Sequence, residues 1–276
     1  MLPARHLIFT DLDGTLLDPH TYSWFAAEKA LREIDRRRVP LIFVTSKTRA
    51  ELEYLRRKLG HTHPFVTENG GGVFIPQGYF SAHIEGARRV AHYHCLELAR
   101  PYAVIIVALE EIAAETGVSV VGFHQMSVRE IAKNTGLSVQ QAELARQREF
   151  DEPFFFAGAT EQLTQKFVYA ARRRGMAVER GGRFWHLFSG SDKGRAVRYL
   201  VKRYRSAARR RLRSVGLGDS PNDLSLLAAV DLAVLLPHPD GSLDREVLSR
   251  LPHAIRGSAP GPAGWNQAVL RTLGAR

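Results

Sequence analysis

The sequence of 276 residues is poor in cysteine and in long apolar runs. Cys95 is its only cysteine, which excludes an intrachain disulfide and fits a reducing compartment. The longest apolar run, from Tyr102 to Leu109, is far too short to span a bilayer. The N-terminal region lacks a basic start followed by a long apolar segment, so we expect no signal peptide. These absences predict a cytoplasmic protein without a membrane partner.

Acidic side chains are outnumbered by basic ones, since 28 Asp and Glu against 39 Lys and Arg give a net charge of +11. Arginine triplets at 36–38, 172–174 and 209–211 resemble the basic stretches of nucleic-acid-binding proteins. They are scattered, lack interleaved aromatic residues and accompany no known nucleic-acid-binding motif. We interpret them as solvated helix faces and expect no nucleic-acid partner, with nucleic-acid binding kept as an alternative. The positive potential also attracts small anionic substrates.

Short apolar strands alternate with amphipathic helices along the first 76 residues. Strands are predicted at 5–10, 41–44 and 65–67, with helices at 23–38 and 49–59 between them. This alternation predicts an α/β fold with a doubly wound, Rossmann-like parallel sheet covered by helices on both faces. Ligands bind such sheets beyond the carboxyl ends of the strands, where Asp11, Asp13, Thr45 and Ser46 are expected.

The middle of the chain differs in character from both ends. Between residues 83 and 187 we predict a smaller α+β unit, which holds either a strand at 103–109 or a helix through it. The aromatic run Phe154-Phe155-Phe156 is expected in the core of this unit. Strand and helix alternation then returns, with strands at 214–218 and 232–235. The predicted architecture is a core of residues 1–82 and 188–276 with an inserted cap of residues 83–187.

Two aspartates of like charge, Asp11 and Asp13, follow the first strand at an interval of two residues. Like charges this close raise each other's pKa unless a cation lies between them. A second acidic cluster, 218–223, follows a late strand, and Lys193 precedes a helix. Carboxylate oxygens are ligands that Mg²⁺ prefers, and a metal screens the repulsion between an anionic nucleophile and a phosphate. The pattern indicates metal-assisted phosphoryl transfer, although helix caps and turns use the same residue types.

The segment Asp11-Leu12-Asp13-Gly14-Thr15, together with Thr45, Lys193 and the cluster 218–223, resembles the motifs of haloacid dehalogenase-like phosphohydrolases. The resemblance implies that Asp11 is the nucleophile, forming an aspartyl-phosphate, and that Asp13 is the general acid and base. It implies that Thr45, Ser46 and Lys193 bind the phosphoryl group. It also implies a Mg²⁺ site formed by Asp11, the Asp13 carbonyl and Asp219. Asn222 and Asp223 would support that site.

Further segments resemble one branch of this superfamily. Placement of the cap after the third strand is typical of its sugar phosphatases. Segments 45–52 and 68–76 in the core, and 130–137, 148–154 and 181–184 in the cap, resemble the mannosyl-3-phosphoglycerate phosphatases. Thr45-Ser46-Lys47 stands where simpler sugar phosphatases have Thr-Gly-Arg. The resemblance therefore implies hydrolysis of mannosyl-3-phosphoglycerate to mannosylglycerate, an osmotic solute.

A substrate with a carboxylate and a sugar needs a cationic partner and several hydrogen-bonding side chains. Candidates of these types are Asn69, Gln77, His124, Gln125, Arg129, Arg148, Glu149, Lys166 and Arg183. Three alternatives to the specialised phosphatase stay open. They are a less selective phosphatase for hexose or sucrose phosphates, a mutase that moves phosphate between sugar positions, and the nucleic-acid-binding protein.

Overall fold

The structure is a computed structural model that describes residues 5–181, 184–190, 192–208 and 211–274. These residues contain thirteen strands in two sheets. The strands are β1 (His6–Thr10), β2 (Leu41–Val44), β3 (Phe65–Thr67), β4 (Gly72–Pro76), β5 (Arg88–Val90), β6 (Tyr93–Glu97), β7 (Val120–Gly122), β8 (Asp151–Phe156), β9 (Met176–Arg180), β10 (Trp185–Ser189), β11 (Arg213–Gly218), β12 (Leu232–Leu235) and β13 (Ile255–Arg256).

Helices connect most of these strands. They are α1 (Glu28–Arg36), α2 (Arg49–Leu59), α3 (Tyr102–Thr116), α4 (Val128–Thr135), α5 (Val139–Ala145), α6 (Glu161–Arg173), α7 (Lys193–Ala208), α8 (Leu224–Leu227), α9 (Arg245–Arg250) and α10 (Gly261–Thr272). In the described ranges, no helix has both the length and the apolar character that a membrane span needs.

The larger sheet has nine strands in the order β13-β12-β11-β1-β2-β3-β4-β6-β5. The run from β13 to β3 is parallel, and β4, β6 and β5 continue it as an antiparallel edge. Side chains of β1 alternate between its two faces, as a buried strand requires. Ile8 packs with Trp265 of α10 in one cluster, whereas Leu7 and Phe9 pack with Val197 of α7 in the other. The doubly wound α/β core is therefore confirmed.

The smaller sheet is antiparallel, with strand order β7-β8-β10-β9. One face packs against α3 and α6, where Phe154 and Phe167 are fully buried. A second cluster under α4 and α5 contains Phe184 and, at its margin, Phe155. The aromatic run thus contributes to both faces of this sheet.

Three details of the middle region refine the sequence prediction. Residues 102–116 form the helix α3, which settles the open choice between strand and helix. Strands β5 and β6 pair with β4 in the larger sheet, although they lie after the predicted boundary at residue 83. Strand β10 lies in the smaller sheet and extends to Ser189, beyond the boundary predicted at 187. Hydrogen-bond pairing, which local pattern does not reveal, determines these positions. The division into core and cap domains stays a prediction.

Candidate active site

The carboxyl ends of the central strands bring Asp11, Thr45 and Asp219 to one edge of the larger sheet. Asp11 directly follows β1, which lies between β11 and β2, and its side chain is almost completely buried. The Lys193 ammonium, at the first turn of α7, donates to Asp11 Oδ1 at 2.8 Å and to Asp223 Oδ1 at 2.6 Å. Lys193 is 1% exposed, so a buried cation links the first and last motifs of the chain.

The carboxylates of Asp11, Asp219 and Asp223 form an acidic cluster, with one oxygen of each within 4.8 Å of the others. Burial, followed by the charge of Asp223, raises the pKa of Asp11 well above its usual value, although Lys193 opposes this effect. The same two causes raise the pKa of Asp219 to about 7. A single lysine does not compensate three buried carboxylates, so the cluster fits a bound divalent cation with oxygen ligands.

Asp223 holds the last motif in place. Its Oδ2 accepts the backbone N–H of Asp219 at 3.0 Å and that of Ser220 at 3.3 Å, while its Oδ1 is bound by Lys193. Asn222 Oδ1 accepts the Ser220 hydroxyl at 2.7 Å. A side chain at Gly218 would come within 2.5 Å of the Asp223 Cβ, which explains the glycine there. Asp223 is therefore bound mainly to the protein, and Asp219 presents its carboxylate toward Asp11.

Asp13 faces a different cation from Asp11. Its Oδ2 lies 2.8 Å from Lys47 Nζ, and its Oδ1 is buried without a hydrogen-bond partner among the described residues. Gly14 follows with φ of +78°, a left-handed turn that a side chain would strain. A Cβ at Gly14 would also approach Asp219 Oδ2 to 2.7 Å, and Thr15 donates its hydroxyl to Asp219 Oδ1 at 2.8 Å. The turn separates the two aspartates and connects them to the last motif.

Thr45 and Ser46 follow β2 and lie at the same sheet edge. Thr45 is 1% exposed, and its hydroxyl oxygen accepts the backbone N–H of Lys47 at 3.2 Å. The Ser46 carbonyl accepts from the Arg148 guanidinium at 3.1 Å. This contact joins the strand-end loop to the segment that precedes β8.

A buried polar cluster joins the loop after β3 to the segment 148–151. The Glu68 carboxylate accepts three successive backbone N–H groups, those of Glu149, Phe150 and Asp151, at 2.7–3.1 Å. Arg148 Nε lies 3.5 Å from the same carboxylate, and the guanidinium also binds Asp151. Glu68 has φ of +47°, an uncommon conformation for a residue other than glycine, and it places the carboxylate beneath these amides. The cluster fixes the position of one sheet relative to the other.

Two of the candidate substrate residues lie in or beside this cluster. Asn69 Nδ2 is 3.4 Å from Asp151 Oδ2, its backbone N–H binds the Thr45 carbonyl, and its Oδ1 is buried without a partner among the described residues. Arg148 contacts Ser46, as described above. Glu149 is bound by Arg49 of α2 at 3.1 Å. The structure thus brings Asn69, Arg148 and Glu149 to the margin of the catalytic loops.

The remaining candidates lie elsewhere. Gln77 follows β4, and because β4 runs antiparallel to β3 it lies at the opposite edge of the sheet, bound to the Ala91 carbonyl. His124 binds the buried Glu152, and Lys166 binds the Thr116 carbonyl at the end of α3. Gln125 accepts the Gly122 N–H, and Arg129 is exposed on α4. Arg183 lies outside the described residues. Residue type alone did not distinguish these positions from those beside the site.

The profile of the family described as haloacid dehalogenase-like hydrolase matches residues 8–237, a range that includes every catalytic and metal candidate from Asp11 to Asp223. The chain belongs to the haloacid dehalogenase-like hydrolases. Two curated relatives are named glucosyl-3-phosphoglycerate/mannosyl-3-phosphoglycerate phosphatase. The protein from Methanococcoides burtonii is 41% identical over 98% of both chains, and the one from Persephonella marina is 38% identical over 97% of both.

Solved structures share the fold of this haloacid dehalogenase-like hydrolase at much lower identity. A protein from Thermoplasma acidophilum has a TM-score of 0.69 at 18% identity, covering 98% of this chain and 99% of its own. The sucrose-phosphatase from Synechocystis has a TM-score of 0.61 at 16% identity, covering 97% and 98%. At these identities the likeness extends to the fold alone.

The structure adds residues for which the sequence analysis assigned no role. Lys47 pairs with Asp13, and its only sequence signal is that it directly follows Thr45 and Ser46. Glu68 and Asp151 carry the polar cluster, yet they lie 83 residues apart in the chain and no local pattern connects them. Trp265 of α10 donates its indole N–H to Thr10 Oγ1 at 2.9 Å and so supports the end of β1.

Proposed function

We propose that this hydrolase removes the phosphate from mannosyl-3-phosphoglycerate or its glucosyl analogue, producing the glycosylglycerate and inorganic phosphate. The observation that carries the proposal is near-full-length identity of 41% and 38% to two phosphatases named for these substrates. The geometry of the candidate site supports it, because a buried nucleophile, a buried lysine and a second carboxylate meet at one sheet edge. Mannosylglycerate production would make the protein an enzyme of osmolyte synthesis.

Asp11 is proposed as the nucleophile. Its carboxylate oxygen attacks phosphorus, the bond from phosphorus to the C3 oxygen breaks, and an aspartyl-phosphate forms. Lys193, 2.8 Å from Asp11, holds the carboxylate in place and offsets the negative charge that accumulates during attack. The Thr45 hydroxyl and the Ser46 loop bind phosphoryl oxygens from the opposite side.

Asp13 is proposed as the general acid and base. It donates a proton to the leaving oxygen in the first step and takes a proton from water in the second, when water attacks the aspartyl-phosphate. Its Oδ1 has no hydrogen-bond partner among the described residues, and its side chain is partly exposed, which suits a group that exchanges protons with substrate and water.

Asp11 and Asp219, with the Asp13 carbonyl, are proposed to hold Mg²⁺, and Asp223 and Asn222 support them through the contacts described above. When bound, the ion neutralises phosphate charge and reduces repulsion between phosphate and nucleophile. Asn69 and Arg148 are proposed to contact the leaving group, since both lie beside Thr45 and Ser46. The single buried Cys95 fits a reducing compartment, which supports a cytoplasmic location.

The test is Mg²⁺-dependent phosphate release from mannosyl- and glucosyl-3-phosphoglycerate, beside mannose 6-phosphate, sucrose 6-phosphate and 3-phosphoglycerate. Asp11→Asn should fold normally and lose hydrolysis, because an amide does not attack phosphorus. Asp35→Asn makes the same chemical change at an exposed position on α1 and should retain activity. Comparable release from all five compounds would contradict the proposed selectivity, and substantial activity of Asp11→Asn would contradict the assignment of the nucleophile.

A further inference from the structure

A cavity of about 580 Å³ is lined in part by Lys47, whose ammonium contacts Asp13. Residues of the segment 17–25, of helix α2 and of the segment 137–144 line it, among them Gln140, Gln141 and Leu144 of α5. Aromatic rings of Trp24 and Tyr54 and amides of Gln140 and Gln141 are among its lining groups. Apolar ring faces together with hydrogen-bonding amides suit a ligand, such as a sugar, that has apolar faces and polar groups at its edges. The cavity is large enough for a leaving group larger than glycerate.

Lys47 stands where this cavity meets the catalytic loops. Its side chain lines the cavity and is 12% exposed, and its ammonium lies 2.8 Å from Asp13 Oδ2. The ammonium also lies 3.9 Å from Glu51 Oε1 and 4.8 Å from the centre of the Tyr22 ring. A group whose oxygen is protonated by Asp13 must therefore lie within a few ångströms of this ammonium. Lys47 is a cation on the leaving-group side of the reaction.

Three other cations around the site are each held between two carboxylates. Arg148 is bound between Glu68 and Asp151, both fully buried. Arg49 is paired with Glu53 and Glu149. Lys193 is paired with Asp11 and Asp223. Lys47 differs from these, because Asp13 is its one carboxylate partner at hydrogen-bond distance among the described residues, while Glu51 Oε1 lies 3.9 Å away.

We propose that Lys47 is a specificity residue that binds the carboxylate of the leaving glycerate. The proposal rests on the proposed function and identifies the group that discriminates a phosphoglycerate from a neutral sugar phosphate. An ammonium has three N–H donors, and among the described residues only the carboxylate of Asp13 lies within hydrogen-bond distance of Lys47 Nζ, since Glu51 Oε1 is 3.9 Å away. The side chain also lines the cavity, so a carboxylate held there can accept from the same ammonium.

The experiment compares two ligands that differ only at this carboxylate. One is mannosyl-3-phosphoglycerate, and the other is its analogue in which the carboxylate is reduced to a primary alcohol. Dissociation constants are measured by calorimetric titration of the Mg²⁺-containing Asp11→Asn protein, in which turnover does not interfere. The same measurements are made after adding Lys47→Gln, Lys47→Arg, or Lys29→Gln, which removes an exposed charge on α1 as a control.

With Lys47 present, the carboxylate form should bind about 10- to 100-fold more tightly than the alcohol, the range of one charge-assisted contact. Lys47→Gln should remove most of this preference, whereas Lys47→Arg and Lys29→Gln should retain it. An unchanged preference in Lys47→Gln would overturn the proposal. Kinetics are also measured for Lys47→Gln in protein that is otherwise wild type. An equal loss of kcat for both compounds, with a shifted pH profile of kcat, would overturn the proposal as well, because Lys47 would then act only through Asp13. Failure of both compounds to bind even with Lys47 present would instead overturn the proposed function.

Discussion

Replacing Lys193 by methionine tests whether the acidic cluster depends on this buried cation. Lys193 is 1% exposed and binds Asp11 and Asp223, and Asp219 lies in the same cluster. The methionine side chain has a similar length and no charge. In the variant the three carboxylates would keep no lysine or arginine partner among the described residues, and His238 Nδ1 would remain 4.0 Å from Asp219 Oδ2.

Breaking a buried ion pair by removing one partner costs roughly 3–5 kcal/mol, because the remaining charge stays buried. The pH dependence of this loss has a definite sign. Removal of the lysine raises the already elevated pKa values of the aspartates further, so the folded state binds more protons than the unfolded state near neutral pH. The destabilisation should therefore be larger at pH 8 than at pH 5, where protonation relieves the repulsion.

A divalent cation should replace part of the missing charge. We expect Mg²⁺ to stabilise Lys193→Met more than the wild type, with a gain of about 2.7 kcal/mol when the ion is present at 100 times its dissociation constant. The measurement is urea denaturation of both proteins at pH 5 and pH 8, in EDTA and in Mg²⁺. Lys202→Met, at an exposed position on the same helix, is the matched control and should change little. Equal destabilisation under all four conditions would refute the electrostatic account of the cluster.

Two further predictions follow from other titrating groups. Asp219, whose pKa is raised to about 7, must be ionised to bind a cation, so the apparent affinity for Mg²⁺ should fall about tenfold per pH unit below pH 7. A flat affinity profile in calorimetric titrations from pH 5.5 to 8 would contradict this. Burial, followed by the charge of Arg56, lowers the pKa of His61 to about 3, although its hydrogen bond to the Leu41 carbonyl opposes this effect. In the unfolded chain this histidine takes up a proton near pH 6.5, whereas in the folded protein it stays neutral. The free energy of unfolding should therefore fall by about 1.4 kcal/mol for each unit by which the pH is lowered from 6 to 4, and His61→Gln should remove that contribution. His20→Gln, at an exposed histidine, should leave the slope unchanged.

The elements that flank the catalytic loops are predicted well because their signals are local. Strand β2 is a run of four apolar residues after Pro40, and α2 begins at Arg49, directly after its N-cap Thr48, whose side chain forms a capping box with Glu51. Both elements have the predicted bounds. The motifs at the strand ends are short and contiguous, so the positions of Asp11, Thr45 and Asp219 follow once the sheet is recognised.

The margin of the site is predicted poorly because it depends on pairings between distant segments. Glu68 meets the amides of 149–151 only because the segment before β8 packs against the loop after β3. Gln77 and Asn69 are close in sequence and similar in chemistry, but the reversal of direction between β3 and β4 sends them to opposite edges. The direction of a strand and the packing of one sheet against the other are properties of the assembled fold. Residue type alone therefore identified both amides as candidates but did not show which of them lies beside the site.

The two aspartates after β1 carry like charges two residues apart because the fold gives each its own cation. Asp11 directly follows a buried central strand and meets Lys193, which is also bound by Asp223. The turn at Gly14 directs Asp13 to Lys47, which lines a cavity and is more exposed than Lys193. A carboxylate nucleophile must be ionised when it attacks, whereas a general acid and base must gain and lose a proton in each cycle. A buried cation that a second carboxylate holds in place suits the first requirement, and a more exposed cation suits the second. The difference in burial between the two lysines thus supports the different roles proposed for the two aspartates.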